Sequence, residues 1–429
     1  MDTIFAPATV TGRAGVAVVR ISGPQAWDGA RRLCGTLPAA RTTALRKIVS
    51  ATGKLIDVGL VLPFERGGSF TGEDIVEFHL HGSVAVMNAV LKELGQLAGF
   101  RLAEPGEFTR RALENDCLDL SQVEGLADLI DAETERQREQ ALKSLTGELG
   151  RRAEEWRRAL IRAMSLVEVS IDFADEDVPQ EVGDEVLGLI QGVLTQLQTE
   201  LERSEMAERI RDGFEVAIVG RPNVGKSTLL NALAGRDAAI TSEYEGTTRD
   251  IIEVRMDLGG MPVTFLDTAG LRDAADPVER MGIERSRARA DSSDLRVFLL
   301  DDLGEDLLVE YVPGDLVVLG KGDLRSGESR VVSGETGEGV KQLLDDVASV
   351  LEQRSGSAAV VTRERHRLSV QNAISALARA SSTDNENVLP AEVISEELRM
   401  AVASLDSLVG KIDVEMVLDE LFQSFCIGK

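Results

Sequence analysis

The 429 residues, 43% apolar and 28% charged, balance like a folded globular chain and suffice for about two to four domains. A formal net charge of -26 repels phosphate backbones, so any nucleic-acid role calls for a basic partner or a local basic face. Cys34, Cys117 and Cys426 are far apart and odd in number, which argues against a disulfide framework or a zinc knuckle and agrees with a reducing compartment.

The N-terminus, "MDTIFAPATV", lacks a basic segment followed by an apolar run, and no stretch of about 18 apolar residues follows, so a soluble, cytoplasmic protein with no membrane role is expected. Residues 1–116 read as mixed α/β. "GVAVVRI", "LIDVGLVLPF" and "DIVEFHLHG" are β-branched, strand-like runs, and "SVAVMNAVLKELGQLAG" has helical spacing with a glycine stop. His79 and His81 flank one residue of a strand and so share a face; two histidines without a third ligand are a weak metal signal.

From about Ser121 the pattern turns helical, and Val186, Ile190, Val193, Leu197 and Leu201 form one apolar stripe. An α/β segment from Gly213 to Thr362 follows, with strands expected at "EVAIVG", "VTFLDT", "LRVFLL", "DLVVLG" and "RVVS", an alternation that favours a mostly parallel, doubly wound sheet. Beyond it, "SVQNAISALARA" and "AEVISEELRMAVASLDSLVG" return to helix, with "SSTDNEN" as a loop. Helix, then α/β, then helix suggests an α/β domain inserted into a helical one. The expected domains are 1–116, a helical domain in two segments at 117–212 and 363–429, and the insertion at 213–362.

"GRPNVGKST" matches G-x-x-x-x-G-K-S/T and stands between a strand and a helix, the layout in which backbone amides cradle phosphate. Asn223, Val224, Gly225 and Thr228 belong to this loop, Lys226 suits the outer phosphates, and Ser227 suits magnesium. "LDTAG" places Asp267, Thr268, Ala269 and Gly270 at a strand end, the Asp for the second shell of magnesium and the Gly amide for the γ-phosphate. Between them, Thr248 of "EGTTRD" suits a second hydroxyl ligand of magnesium. These elements, in order, predict a nucleoside triphosphatase.

The base-reading segment is "GKGD": Lys321 and Asp323 are present, while Gly320 stands where guanine-specific proteins usually have Asn. The Asp carboxylate carries the discrimination against adenine, so GTP is expected, with Ser333 and Gly334 completing the base loop. Leu271 cannot orient water as a Gln would, and Glu279 is a candidate replacement, although a solvated helix position fits it equally.

"GRPNVGKST", "EGTTRD", "DTAGLRDAADPVERMGIERS", "SFTGEDIVEFHLHGS", "PGEFTRRALENDCLDLSQVEGLADLIDA" and the terminal "FCIGK" together resemble the MnmE (TrmE) family of tRNA-modification GTPases, from residue 2 to Lys429. The resemblance implies an N-terminal α/β folate-binding-like domain that dimerises, a discontinuous helical domain and an inserted Ras-like P-loop G domain. It implies a potassium site at Asn223, Ser242, Tyr244 and Thr247, and a water-positioning role for Glu279. It also implies contacts to 5-formyl- or 5,10-methylene-tetrahydrofolate by Arg20, Glu77 and Lys429, with Cys117 where the family has a lysine. Position alone leaves Arg20 readable as an edge residue facing solvent.

The expected activity is that of a potassium-activated GTPase acting with a flavin-dependent MnmG (GidA) type partner. Together they would add an aminomethyl or carboxymethylaminomethyl group at C5 of the tRNA wobble uridine, the partner holding most of the tRNA. A GTP-dependent binding switch without modification chemistry, or an ATPase, are the alternatives. "CIGK" fails as a lipidation box because Gly is not the aliphatic third residue, which leaves Cys426 as a packed thiol or a thiol of the modification centre.

Overall fold

The computed structural model describes every residue except 1, 11, 173–179, 237, 241–252, 268–286, 308, 326–329, 355–358, 383–389, 411–427 and 429. The chain divides into two compact units, Met1–Ala127 with Asp406–Lys429, and Asp128–Leu405.

The first unit is built on a six-stranded sheet of β1 (Thr3–Pro7), β2 (Ala14–Ser22), β3 (Ala44–Val49), β4 (Leu55–Phe64), β5 (Ile75–Gly82) and β6 (Phe100–Leu102), in the order β3-β4-β5-β2-β1-β6. Its neighbours are antiparallel except β1 and β6. On one face Phe5, Val19, Ile21, Phe78 and Leu80 pack under α1 (Ala26–Cys34) and α2 (Val84–Gly95). Strand alternation then sends Arg20, Glu77 and His79 to the opposite face, where Phe108 of α3 (Glu107–Glu114) covers Ile4 and Ala6. Sequence periodicity anticipates β2, β4, β5 and α2. It passes over β1, a five-residue strand ending in proline, and β3, an edge strand carrying the adjacent charges Arg46 and Lys47.

An ionic cluster ties this unit together. Arg111 bonds both oxygens of Glu73 (3.2 and 3.1 Å), Glu107 (3.0 Å) and Asp2 (2.9 Å). Glu73 also accepts from Ser22 at 2.7 Å. The helix α4 (Leu120–Asp131) begins in this unit, where Leu120 N donates to Val409 O at 3.3 Å, so residues before and after the insertion meet.

In the second unit α5 (Glu135–Leu145) starts at a capping box formed by Thr134 and Gln137. It is followed by α6 (Glu148–Asp172) and α7 (Gln180–Asp212). Along α7 the expected stripe holds: Val186, Ile190, Val193 and Leu197 are buried and Leu201 half-buried. Past the α/β segment, α10 (Glu364–Ala380) returns to pack on α7, and α11 (Ala391–Leu408) follows. Arg211, at the end of α7, donates to Thr362 O at 2.8 Å, so the chain leaves and re-enters the helical layer at adjacent points.

Between those points lies a five-stranded sheet ordered β11-β10-β7-β9-β8, from β7 (Phe214–Val219), β8 (Glu253–Leu258), β9 (Met261–Asp267), β10 (Leu295–Leu300) and β11 (Leu316–Leu319), with α8 (Lys226–Ala234) and α9 (Val340–Arg354) among its helices. All pairings are parallel except β8 with β9. β10 is buried at every position, as a parallel strand covered on both faces must be. The antiparallel edge strand β8 lies outside the expected strands, although its buried Val254, Met256 and Leu258 alternate with charged residues as a half-buried strand requires. "RVVS" forms only a bridge, Leu319 with Val331, and not a strand. "SSTDNEN" lies largely outside the described residues.

Candidate functional site

β7 ends at Val219, and the chain turns through Gly220–Gly225 into α8, which sets the loop amides at a helix start, where an anion is favoured. Gly220 allows β10 to approach: a Cβ there would lie 2.2 Å from Leu299 O. Asn223 (φ 64) and Gly225 (φ 110) take left-handed backbone, which wraps the loop.

Lys226 Nζ donates to the carbonyl oxygens of Gly220 (2.7 Å) and Arg221 (3.1 Å). Its burial, opposed by the Asp267 carboxylate, holds its pKa below the ordinary lysine value. Ser227 Oγ donates to Asp267 Oδ2 at 3.0 Å, while Asp267 Oδ1 is buried with no hydrogen-bond partner among the described residues. An orphaned carboxylate oxygen beside a hydroxyl is an all-oxygen set that fits magnesium.

A cavity of about 300 Å³ is lined by the loop residues Asn223, Val224, Gly225 and Thr228 together with Gly320, Lys321, Asp323, Ser333 and Gly334. Asp323, in the short turn Gly322–Leu324 after β11, has Oδ1 fixed by the Ser333 hydroxyl at 2.7 Å. The amides of Glu335 and Thr336 each donate to Ser333 Oγ at 3.3 Å, which aims that hydroxyl at the carboxylate. Gly334 sits so close to α8 that a Cβ would fall 2.6 Å from Thr228 O. The arrangement can hold a phosphate chain at one end and present a carboxylate acceptor to an N–H-rich base at the other.

Sequence reasoning thus assembled Asn223, Val224, Gly225, Lys226, Ser227, Thr228, Asp267, Lys321, Asp323, Ser333 and Gly334 in one region. Ser242, Tyr244, Thr247, Thr248, Thr268, Ala269, Gly270 and Glu279 lie outside the described residues.

A second cluster lies in the first unit. Arg20 and Glu77 face each other across β2 and β5, Nε to Oε1 at 2.9 Å, and Glu77 Oε2 lies 3.3 Å from His79 Nε2. The Arg20 guanidinium sits over Phe70 (5.4 Å) and Phe108 (5.6 Å). Since β2 is interior to the sheet and this side chain is paired, the edge-residue reading of Arg20 falls. His81 pairs instead with Asp57 at 2.8 Å. Cys117 is exposed at the Gly72 turn and donates to Asn115 O at 3.7 Å. Cys426 and Lys429 lie outside the described residues, but Gly428, buried at φ 104, is seated where a Cβ would meet Pro7 O at 1.8 Å. Pro7 adjoins Ala6, the register partner of Arg20.

The aromatic cover of Arg20 was not anticipated; "SFTGED" and "GEFTRR" contain Phe70 and Phe108, but nothing local marks two phenylalanines 38 positions apart (108 less 70) as partners. Among the described residues no group of three or more His, Cys, Asp or Glu could hold a metal ion, and no helix is long and apolar enough to cross a membrane.

The family model described as the MnmE helical domain matches residues 120–426, and that of the GTP-binding protein TrmE N-terminus matches residues 3–117. The chain is 57% identical over 429 residues to the tRNA modification GTPase MnmE of Cereibacter sphaeroides and 55% identical over 429 residues to that of Roseobacter denitrificans, covering 100% of both chains in each case. Among solved structures, the FeoB G-domain of Methanococcus jannaschii is 24% identical with a TM-score of 0.25, covering 32% of this chain and 98% of that one.

Proposed function

This chain belongs to the MnmE family of tRNA-modification GTPases, and from that premise we propose that it hydrolyses GTP to drive modification of the wobble uridine of tRNA. The observation that carries the GTP reading is the cavity in which the P-loop faces Asp323, oriented by Ser333. Asp323 would accept from guanine N1–H and the exocyclic amine, and adenine has no matching donors. Lys226 would leave the carbonyls it now binds and turn to the phosphates, and Ser227 with Thr248 would hold magnesium, Asp267 supporting it from outside. Magnesium there supplies charge neutralisation on the phosphate oxygens.

Asn223, Ser242, Tyr244 and Thr247 are the proposed potassium ligands; of these only Asn223 is described, and it is exposed on the P-loop in a left-handed conformation. A cation there would offset transition-state charge as an arginine finger does. Thr268, Ala269 and Gly270 would sense the γ-phosphate, and Glu279 would position the attacking water. In the first unit Arg20, Glu77, Cys117 and Lys429 are the proposed contacts to a tetrahydrofolate one-carbon donor. The Arg20–Glu77 pair beside Phe70 offers a donor, an acceptor and a flat apolar wall. Cys426 would act in the modification centre near it.

The reading extends to a homodimer formed through residues 1–116, helical segments 117–212 and 363–429, and a G domain at 213–362 whose pairing across the dimer accompanies turnover. A flavoprotein of the MnmG (GidA) type would complete the chemistry and bind most of the tRNA, consistent with the net charge of -26. Cytoplasmic action follows from that substrate.

The test is turnover of GTP against ATP, each in potassium and in sodium. GTP hydrolysis that adenine nucleotides fail to inhibit, and that falls in sodium, is expected. Equal use of ATP would overturn the guanine assignment, and equal rates in the two salts would overturn the potassium site.

A further inference from the structure

The base-reading turn follows β11 without the side chain that guanine-binding segments usually carry at its first position. Gly320 sits against the P-loop, its would-be Cβ 2.5 Å from Val224 O, so the turn gets no side-chain tie from that place. The next residue, Lys321, is a non-glycine at φ 55, a left-handed conformation that persists only where neighbours hold it. Arg325 Nε donates to Gly320 O at 2.8 Å, and its Nη2 donates to Asp301 O just beyond β10. Asp301 also receives Lys321 Nζ on Oδ1 at 3.0 Å, so one residue anchors both cations.

The backbone continues the clamp. Leu324 N donates to Lys321 O at 2.9 Å, and Arg325 N to Gly322 O at 3.0 Å. Asp323 is therefore enclosed between Gly320, whose carbonyl Arg325 binds, and Arg325 itself, with Ser333 fixing its carboxylate from the side. We infer that Arg325 is a positioning residue for guanine: its fork replaces the tie absent at Gly320 and sets the aim of Asp323. A planar guanidinium suits the task because its rigid fork holds carbonyls just past two different strands at fixed angles, whereas an ammonium is a point charge on a flexible stem.

The inference rests on the guanine reading of the cavity, and the experiment separates the two. GDP and ADP affinities are measured by calorimetry on the full chain for the wild type and for Arg325→Ala, with the unfolding midpoint of nucleotide-free protein. A wild type without guanine preference would sink the base reading itself. With that preference present, Arg325→Ala is expected to weaken GDP about ten- to a hundredfold, the worth of a charge-assisted bond, and to leave ADP unchanged. An unchanged GDP to ADP ratio, or parallel loss of both nucleotides, overturns the positioning role. If Arg325→Ala folds poorly, Arg325→Lys, which keeps the charge and loses the fork, carries the same comparison.

Discussion

Gly320 and Val224 show how a single atom sets the geometry of the nucleotide site. The carbonyl of Val224 occupies the volume that a Cβ at residue 320 would need, 2.5 Å away, and that obstacle is backbone rather than a flexible side chain. Gly320→Ala must therefore push the P-loop aside. The expected outcome is a stability loss of about 1–3 kcal/mol in denaturant unfolding together with weaker GTP binding in a titration. Unchanged affinity would mean that the loop moves freely in solution. Sequence reading identified Gly320 as a departure from the usual segment but had no means to see why it fits, since Val224 lies 96 positions earlier (320 less 224). Lys226, Ser227 and Asp267 were legible because each sits in a short contiguous motif whose chemistry depends on local backbone.

At the level of elements, the tie between α3 and the β4–β5 connection is ionic. Arg111 is buried with Glu73 and Glu107, which are each 8% exposed. Arg111→Ala would leave the buried Glu73 carboxylate without its cation, while Glu107 keeps Arg101, and a loss of about 3–5 kcal/mol in the unfolding of the first unit is expected. Burial pushes the Glu107 pKa up, but Arg101, the Glu104 amide and Arg111 outweigh it and hold it below the ordinary glutamate value of 4.5. A depressed carboxylate contributes stability that is present above pH 4.5 and lost as pH falls through the folded value. Unfolding midpoints of the wild type should drop on acidification below that point, and the drop should shrink in Glu107→Gln; an identical acid profile in the variant would remove Glu107 from the cause. None of this network was readable beforehand, because glutamate and arginine in an amphipathic helix look like a solvated face until the fold covers them.

At the scale of the molecule, the insertion has a physical mark in the Arg211 bond to Thr362 O at 2.8 Å. Adjacent entry and exit points let the helical layer close without the α/β segment between them. Replacing residues 213–362 with a short glycine–serine linker should leave a chain with its helical circular dichroism and a cooperative melt, and without GTP binding. Loss of helix would show that the layer depends on the insertion, to which Ile210 of α7 contributes core contacts. The sequence by itself determined the order of helical and α/β segments, the P-loop and the base-reading aspartate, since apolar periodicity and glycine-bearing turns act over a few residues. Tertiary structure alone decided the aromatic cover of Arg20, the buried Arg111 cluster and the Arg325 clamp on Gly320 and Asp301. Each of those joins groups distant in the chain or hidden by burial, and desolvation and packing, which decide their partners, exist only once the chain has folded.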